Sequence, residues 1–433
     1  MLVGAQMYFE KLLESINHSE LIDIVDKHRI DGRLHIPKPA FSYWLSSFAK
    51  QAKRTCLAIT DNQERAIDVY NNLIEWCGNV AQIYLLPEND FLPFERQLNN
   101  YLAVRKRIEC LAAVSKIPIA HREYSLPVVI VASVAAATQK TISVNQLRSS
   151  VIDLSVNQSL NIGDFVHTCL SIGYENQFNV EMPGSIARRG GIVDVFSPGM
   201  KLPARIEFLG NSVESMRLFD IQTQRSLETI DSYTILPAKE LIPRFIGKLE
   251  IEKFFSDMDY SNCSPETRDG INQDLVHISS GYPDQSSGMY NGAFCNDSIL
   301  DFLPEDSILL IEQPDDVKSE ATNLDAHENK IRLSKEERGL IPTNFPSPRI
   351  SWDSFVCSAD KTRVRLNIDN WQNDMIQNSK VIKQQYQFEF CKDYDGHFGS
   401  LMNDIQLWRK KNEKIVLISK HSKRLEELLK SIR

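Results

Sequence analysis

Between residues 40 and 134 the apolar positions switch repeatedly between helical and strand spacing. Residues 41–53 follow Pro37 and Pro39 with a helical period, and 55–60 (TCLAIT) form a short apolar run of strand length. Ala66, Tyr70, Leu73 and Cys77 then fall on one helical face, which Gly78 closes. Asp61 precedes that face with Glu64 three residues on, the form of a capping box. Residues 81–86 predict another strand. Residues 99–114 predict a helix with Leu102, Ile108, Leu111 and Ala112 as its apolar stripe, and 127–133 (PVVIVAS) predict a strand buried on both faces. This alternation predicts an α/β layer built on a parallel sheet.

The period drops to two between 183 and 225, where the chain reads PGSIARRGGIVDVFSPGMKLPARIEFLGNSVESMRLFDIQTQR. Apolar residues alternate in 191–196, 205–209 and 215–219, separated by Ser-Pro-Gly-Met at 197–200 and by Gly210, Asn211 and Ser212. The pattern predicts a small antiparallel sheet with one dry face. The other face would carry Arg188 or Arg189, with Arg205, Glu207 and Arg217. A charged face with few catalytic residue types predicts a docking surface. A helical run at 162–172 (IGDFVHTCLSI) precedes it, within a β-rich insert spanning about 140 to 238.

After 235–240 (ILPAKE) the spacing predicts a return to the α/β domain, with a helix at 250–258 and a buried strand at 307–311 (SILLI). Residues 259–297, rich in Ser, Asp, Asn and Gly, predict a long exposed excursion. Residues 315–350 are charged, then punctuated by proline. From about 360 a third unit is expected, with a strand at 364–368, a helix at 401–411, a strand at 414–419 (KIVLIS) and an amphipathic helix at 421–432. A strand–helix pair ending flush with Arg433 has the form of an α/β unit cut short, so a piece of a longer protein is expected.

Composition narrows the function classes. The 433 residues are 42% hydrophobic, enough for two to four packed domains. A net charge of −8 argues against a nonspecific nucleic-acid binder. No run of eighteen apolar residues predicts a membrane span, and the N-terminus lacks the apolar stretch of a signal peptide. A cytoplasmic location without membrane contact is the expectation. The eight cysteines include no C-x-x-C pair, and the nine histidines include no H-x-x-x-H pair beside an acid, so reduced buried thiols and no structural metal are expected.

RRGGIVDVF, PARIEF, SMRLFD and TQRS together resemble the second-domain signature shared by the excision-repair protein UvrB and the transcription-repair coupling factors (Mfd). The resemblance implies an α/β fold: a UvrB-like domain of Rossmann or RecA type with a degenerate nucleotide site, interrupted by a β-rich insert and followed by a second small α/β domain. It divides the chain into a helical extension (1–38), domain 1a (39–140), domain 2 (141–238), domain 1b (239–358) and the start of the next domain (359–433). It also implies that domain 2 binds UvrA. Arg189 of the R-G signature and Arg205 with Glu207 of the R-I-E strand map to contacts in the family, Arg188 could share the role, and Phe208 would help form an apolar rim. Relatives place an arginine just after the tyrosine that opens this region, whereas Tyr174 is followed by Glu175, Asn176 and Gln177.

UvrB binds ATP through G-x-x-x-x-G-K-[ST], whose glycine amides cradle phosphate. The matching stretch here is DGRLHIPKPAFSYWL at 31–45, where Gly32 is the only glycine and Lys38 lies between two prolines that have no amide proton. No acidic pair follows PVVIVAS. LPENDFLPFERQLNN at 86–100 leaves no room for the DNA-holding hairpin of UvrB and resembles the short acidic, aromatic loop of the coupling factors, with Phe91 and Phe94 as packing residues. No cofactor is therefore expected in this chain. The family's ATP and magnesium chemistry, and its contacts with RNA polymerase and double-stranded DNA, would belong to C-terminal domains beyond these residues. The same resemblance implies that a C-terminal domain masks the docking face in cis. Three readings follow: a noncatalytic module recruiting UvrA, a UvrB-like DNA-damage-binding ATPase, and a restraint on the motor in cis.

Overall fold

The structure is a computed structural model describing residues 11–417, apart from 28–30, 79, 90–92, 97–100, 118–125, 284–286, 363, 371–379, 382–385, 387, 389–391, 393, 395–396, 414 and 416. In chain order the strands of the α/β part begin with β1 (Asp31–His35), β2 (Cys56–Thr60), β3 (Gln82–Leu86) and β4 (Val128–Ser133). The insert supplies β5 (Ile152–Ser155), β6 (Glu175–Asn176), β7 (Ser185–Arg189), β8 (Ile192–Phe196), β9 (Ala204–Leu209), β10 (Ser212–Phe219), β11 (Ser226–Thr229) and β12 (Ser232–Ile235). The chain then returns with β13 (Ile308–Glu312), β14 (Val364–Asp369) and β15 (Lys380–Val381).

Seven of these form one sheet in the order β15-β1-β14-β13-β2-β4-β3, with every pair parallel. All residues of β2, β4 and β13 are buried, because helices cover a parallel sheet on both sides and select unbroken apolar strands. The Gln63–Cys77 helix is capped one residue later than its sequence suggests. Asn62 accepts from the Arg65 amide at 2.9 Å, while Asp61 steadies Asn62 by accepting from its amide. Gly78 ends the helix at φ +50°, a conformation that suits glycine. In the Tyr101–Val114 helix Ile108, Leu111 and Ala112 are buried as expected, but Leu102 is 58% exposed.

Two expectations are corrected. Residues 259–297 are no exposed excursion. The Pro265–Ser279 helix buries Ile271 and Ile278, and these join Tyr290, Phe294 and Phe345 in a separate aromatic-rich core. Ser264 caps that helix by accepting from the Thr267 amide, with Pro265 at the first helical position. The strand expected to open a third unit is β14, and it lies inside the seven-stranded sheet between β1 and β13. The compact unit containing the sheet runs from Met1 to Tyr386, and a second comprises Gln387–Arg433. Within the second, the described helix is Phe398–Lys410. The strand expected at 414–419 and the helix at 421–432 fall where only 415 and 417 are described. The charged stretch after 313 forms a long helix, Pro314–Glu337.

The insert holds a six-stranded sheet, β11-β10-β9-β8-β7-β6, antiparallel except for the short β6–β7 pair. It is entered on β5 and left on β12, which pair with each other antiparallel. Val193, Val195, Ile206 and Met216 form its dry side, packing with Phe165 and Cys169 of the Ile162–Ser171 helix. This packing is continuous with the core beneath the seven-stranded sheet.

Candidate protein-docking face

Strand register decides which side chains share the outer face of the insert. Arg189 lies opposite Ile192, Ile192 opposite Glu207, and Glu207 opposite Ser215, giving one row across four strands. The neighbouring row runs Ala187, Asp194, Arg205, Arg217 and Thr229. Side chains alternate along a strand, so both rows point away from the Phe165 side.

Arg205 is engaged within the chain. Its Nε and Nη2 donate to Asp194 Oδ1 and Oδ2 at 2.7 and 2.8 Å, and its guanidinium stands 4.7 Å from the centre of the Phe219 ring. Asp194 is buried, so this bidentate pair neutralises a carboxylate removed from water. Its hydrogen bonds to Asp194 push the Arg205 pKa up. Glu207 accepts from Ser215 Oγ at 2.8 Å and lies 3.6 Å from Arg217 Nη1, with both side chains of that ion pair partly in solvent.

Arg189 is placed differently. Its Nη2 donates to the Phe178 carbonyl at 2.8 Å and to Asn179 Oδ1, and its guanidinium lies 5.3 Å from the centre of the Phe178 ring. Phe178 is 85% exposed, and Leu209 and Ile192 are exposed too. An aromatic ring held in water under a guanidinium is a prominent apolar feature on a small charged face. Sequence reasoning missed Phe178, because it lies in a loop without periodicity. Its one signal was an aromatic residue among polar neighbours (ENQFN).

Of the five residues singled out from sequence, the face unites Arg189, Arg205 and Glu207. It does not unite Arg188 and Phe208 with them. Alternation turns Arg188 to the side of Val193, at the solvent-exposed end of its strand, where its Nε donates to the Gly190 carbonyl at 3.3 Å. Phe208 packs its ring 5.9 Å from that of Phe165 on the inner side. Tyr174 is buried and its hydroxyl donates to the Leu236 carbonyl at 2.8 Å, and Glu175–Asn176 after it form the edge strand β6.

A second location is where a nucleotide site would lie. Open α/β sheets bind ligands at the carboxyl ends of their strands. There β1 runs through Ile36 into a short 3-10 turn, Lys38–Ala40, and then the Phe41–Ala52 helix. Glu312, at the end of β13, is buried and accepts from Arg65 Nε at 2.9 Å and Nη2 at 2.5 Å. Arg65 Nη2 also donates to the Lys38 carbonyl at 3.2 Å. The turn after β1 thus offers a carbonyl to an internal guanidinium, where a phosphate loop would offer amides to a ligand. Phe94 packs edge-on 6.1 Å from Phe345, and Phe91 lies outside the described residues. Among the described residues there is no cluster of three or more His, Cys, Asp or Glu able to hold a metal, and no helix is long and apolar enough to cross a membrane.

Comparison with known proteins bears on the insert and on the chain as a whole. Residues 152–241, which span the insert, match the family described as the UvrB interaction domain. The chain is 24% identical over 405 residues to the transcription-repair-coupling factor of Bacillus subtilis (strain 168), covering 90% of this chain and 33% of that protein. It is 28% identical over 199 residues to the coupling factor of Myxococcus xanthus, covering 45% and 16% respectively. It is 22% identical over 396 residues to that of Staphylococcus aureus (strain bovine RF122 / ET3-1), covering 87% and 32%. The chain therefore spans about a third of the length of the relatives it matches most extensively. It is similar to the transcription-repair-coupling factors over most of its length, and its residues 152–241 match the UvrB interaction domain.

Proposed function

We propose that this chain is a recruitment module that binds UvrA through the outer face of its insert and turns over no nucleotide itself. The observation that carries the reading is the Arg189–Phe178 pair, exposed on a charged sheet face within the matched interaction domain. The guanidinium supplies charge-assisted donors to acidic groups on the partner, and the ring with Ile192 and Leu209 excludes water around them. Arg205 shapes the face through Asp194, and the exposed part of Glu207 gives it a second sign of charge that sets register with the partner. The Arg65–Glu312 pair and the Pro-Lys-Pro turn support the absence of ATP chemistry. Contact with RNA polymerase and DNA, motor activity, and masking of the face in cis belong, in this proposal, to the parts of the relatives that the chain does not span.

Titration of the whole chain with UvrA tests the reading. Arg189→Ala and Phe178→Ala should each weaken binding by about 2 kcal/mol or more, roughly thirtyfold in Kd. Unaltered affinity in both variants would reject the face, and absence of binding by folded wild type would favour the restraint reading.

A further inference from the structure

A cleft of about 260 Å³ opens in the α/β unit, away from the insert's outer face. It lies between the segment that follows β3, the start of the helix after β4, the turn around Asn291 and the Pro314–Glu337 helix. Its position at the carboxyl ends of β3 and β4 is where open parallel sheets present ligand sites.

Two amides lining the cleft have unmet hydrogen bonds. Asn291 is 6% exposed, and its Oδ1 has no partner; both Oδ1 and Nδ2 of Asn89 are likewise buried and unpaired. Unpaired polar atoms are rare inside folded chains, and two unpaired amide oxygens on one cleft point to a ligand that donates hydrogen bonds to them. The charged groups define the sign of that ligand. Glu88, Glu95 and Glu328 line the cleft against one guanidinium, Arg349. Arg349 is already spent on Glu328 at 2.8 Å and Asp325 at 3.7 Å. Glu95 is held by Lys335 at 3.0 Å, whereas among the described residues Glu88 receives only a neutral hydroxyl donor, from Ser133. The cleft therefore has an excess of acceptors and of negative charge, which repels phosphates and carboxylates. Its remaining walls include Pro93, Phe94, Met289 and Leu324, which suit an apolar stem.

From this juxtaposition of unpaired asparagine carbonyls, a Glu88 carboxylate held by a neutral hydroxyl and apolar walls, we propose that the cleft binds a guanidinium carried on an alkyl stem. A guanidinium offers five donors in one plane and accepts none, which matches several acceptors around one small space. Its source is either a free alkylguanidine or an arginine side chain of a protein segment.

The test is a calorimetric titration of the whole chain with N-acetyl-arginine N-methylamide, with the neutral citrulline analogue, and with a Gly-Arg-Gly peptide. The capped arginine should bind saturably, and the citrulline analogue about tenfold or more weaker. Glu88→Gln, which keeps an oxygen for Ser133, and Asn291→Leu should each weaken capped arginine by a similar factor. Tighter binding of the peptide assigns the site to a protein segment, and equal binding assigns it to a free cation. No saturable binding of either form, equal binding of citrulline, or full affinity in Glu88→Gln would overturn the proposal. Melting of the unliganded variants shows that each is folded, and Glu88→Gln decides alone if Asn291→Leu is not.

Discussion

Two arginines sixteen positions apart in one sheet meet different fates. Arg205 is bonded twice to a buried aspartate, whereas Arg189 leans on an aromatic ring in solvent. Arg205→Ala strands Asp194 without its cation, so it should cost on the order of 3 kcal/mol in urea unfolding, with any loss of UvrA binding following from a loosened sheet. A variant as stable as wild type would return Arg205 to the list of direct contacts. The sequence named both arginines but could not rank them, because Asp194 becomes the neighbour of Arg205 only through strand register. His18 was invisible for a similar reason. It is fully buried, 2.8 Å from the Tyr386 hydroxyl through Nδ1 and 3.0 Å from Ser47 Oγ through Nε2, and burial pushes its pKa down to about 4. Ser47 donates its own proton to the Leu13 carbonyl, so Nε2 carries the imidazole proton and Nδ1 accepts. The unfolded chain binds a proton there below about pH 6.5, and the folded chain does not until about pH 4. Stability from this group is therefore full at neutral pH and is lost as pH falls through that window, by on the order of 3 kcal/mol. Stability measured against pH should show a shallower acid decline in His18→Gln than in wild type, and parallel curves would refute the assignment.

Elements with an unmixed period were legible: β2, β4 and the Ile162–Ser171 helix fall within a residue or two of their sequence-based bounds. The Pro265–Ser279 helix was not, because its apolar positions are sparse and much of its length is Asp, Asn, Arg and Gln. The Ser264-Pro265-Glu266 start was the available signal, and the buried Ile271 and Ile278, seven residues apart, were its faint stripe. Ile278→Ala should destabilise the chain by about 3 kcal/mol, since that side chain is fully buried among aromatic rings. Limited proteolysis gives an independent reading: 265–279 should resist cleavage in the native chain, and rapid cutting there would contradict the packed helix. Leu102 erred in the opposite sense. Its spacing suits the stripe, but in this first turn Ala103 and Val104 take the buried positions and Leu102 is left in solvent.

For the whole molecule, the alternation of helix and strand gave the parallel sheet, but strand order was beyond reach. Nothing local in 364–369 says that it lies between β1 and β13. The same limit hid the pairing of Arg65 with Glu312, residues 247 positions apart. Arg65→Ala leaves Glu312 buried and unpaired and should cost on the order of 3–5 kcal/mol, whereas Arg65→Leu with Glu312→Leu should recover much of the loss. Magnesium-ATP should leave the melting temperature of wild type unchanged, and a rise that saturates with nucleotide would overturn the noncatalytic reading.

The pairing of β5 with β12 has a mechanical corollary. Both ends of the insert are fastened side by side, and its inner face is part of the same packed core as the large sheet. There is no slack tether to stretch and no dry layer free to slide. A load applied at Arg189 and Phe178 would be transmitted as strain through a solid bracket, so a partner bound there would be held in a fixed orientation and not on a leash.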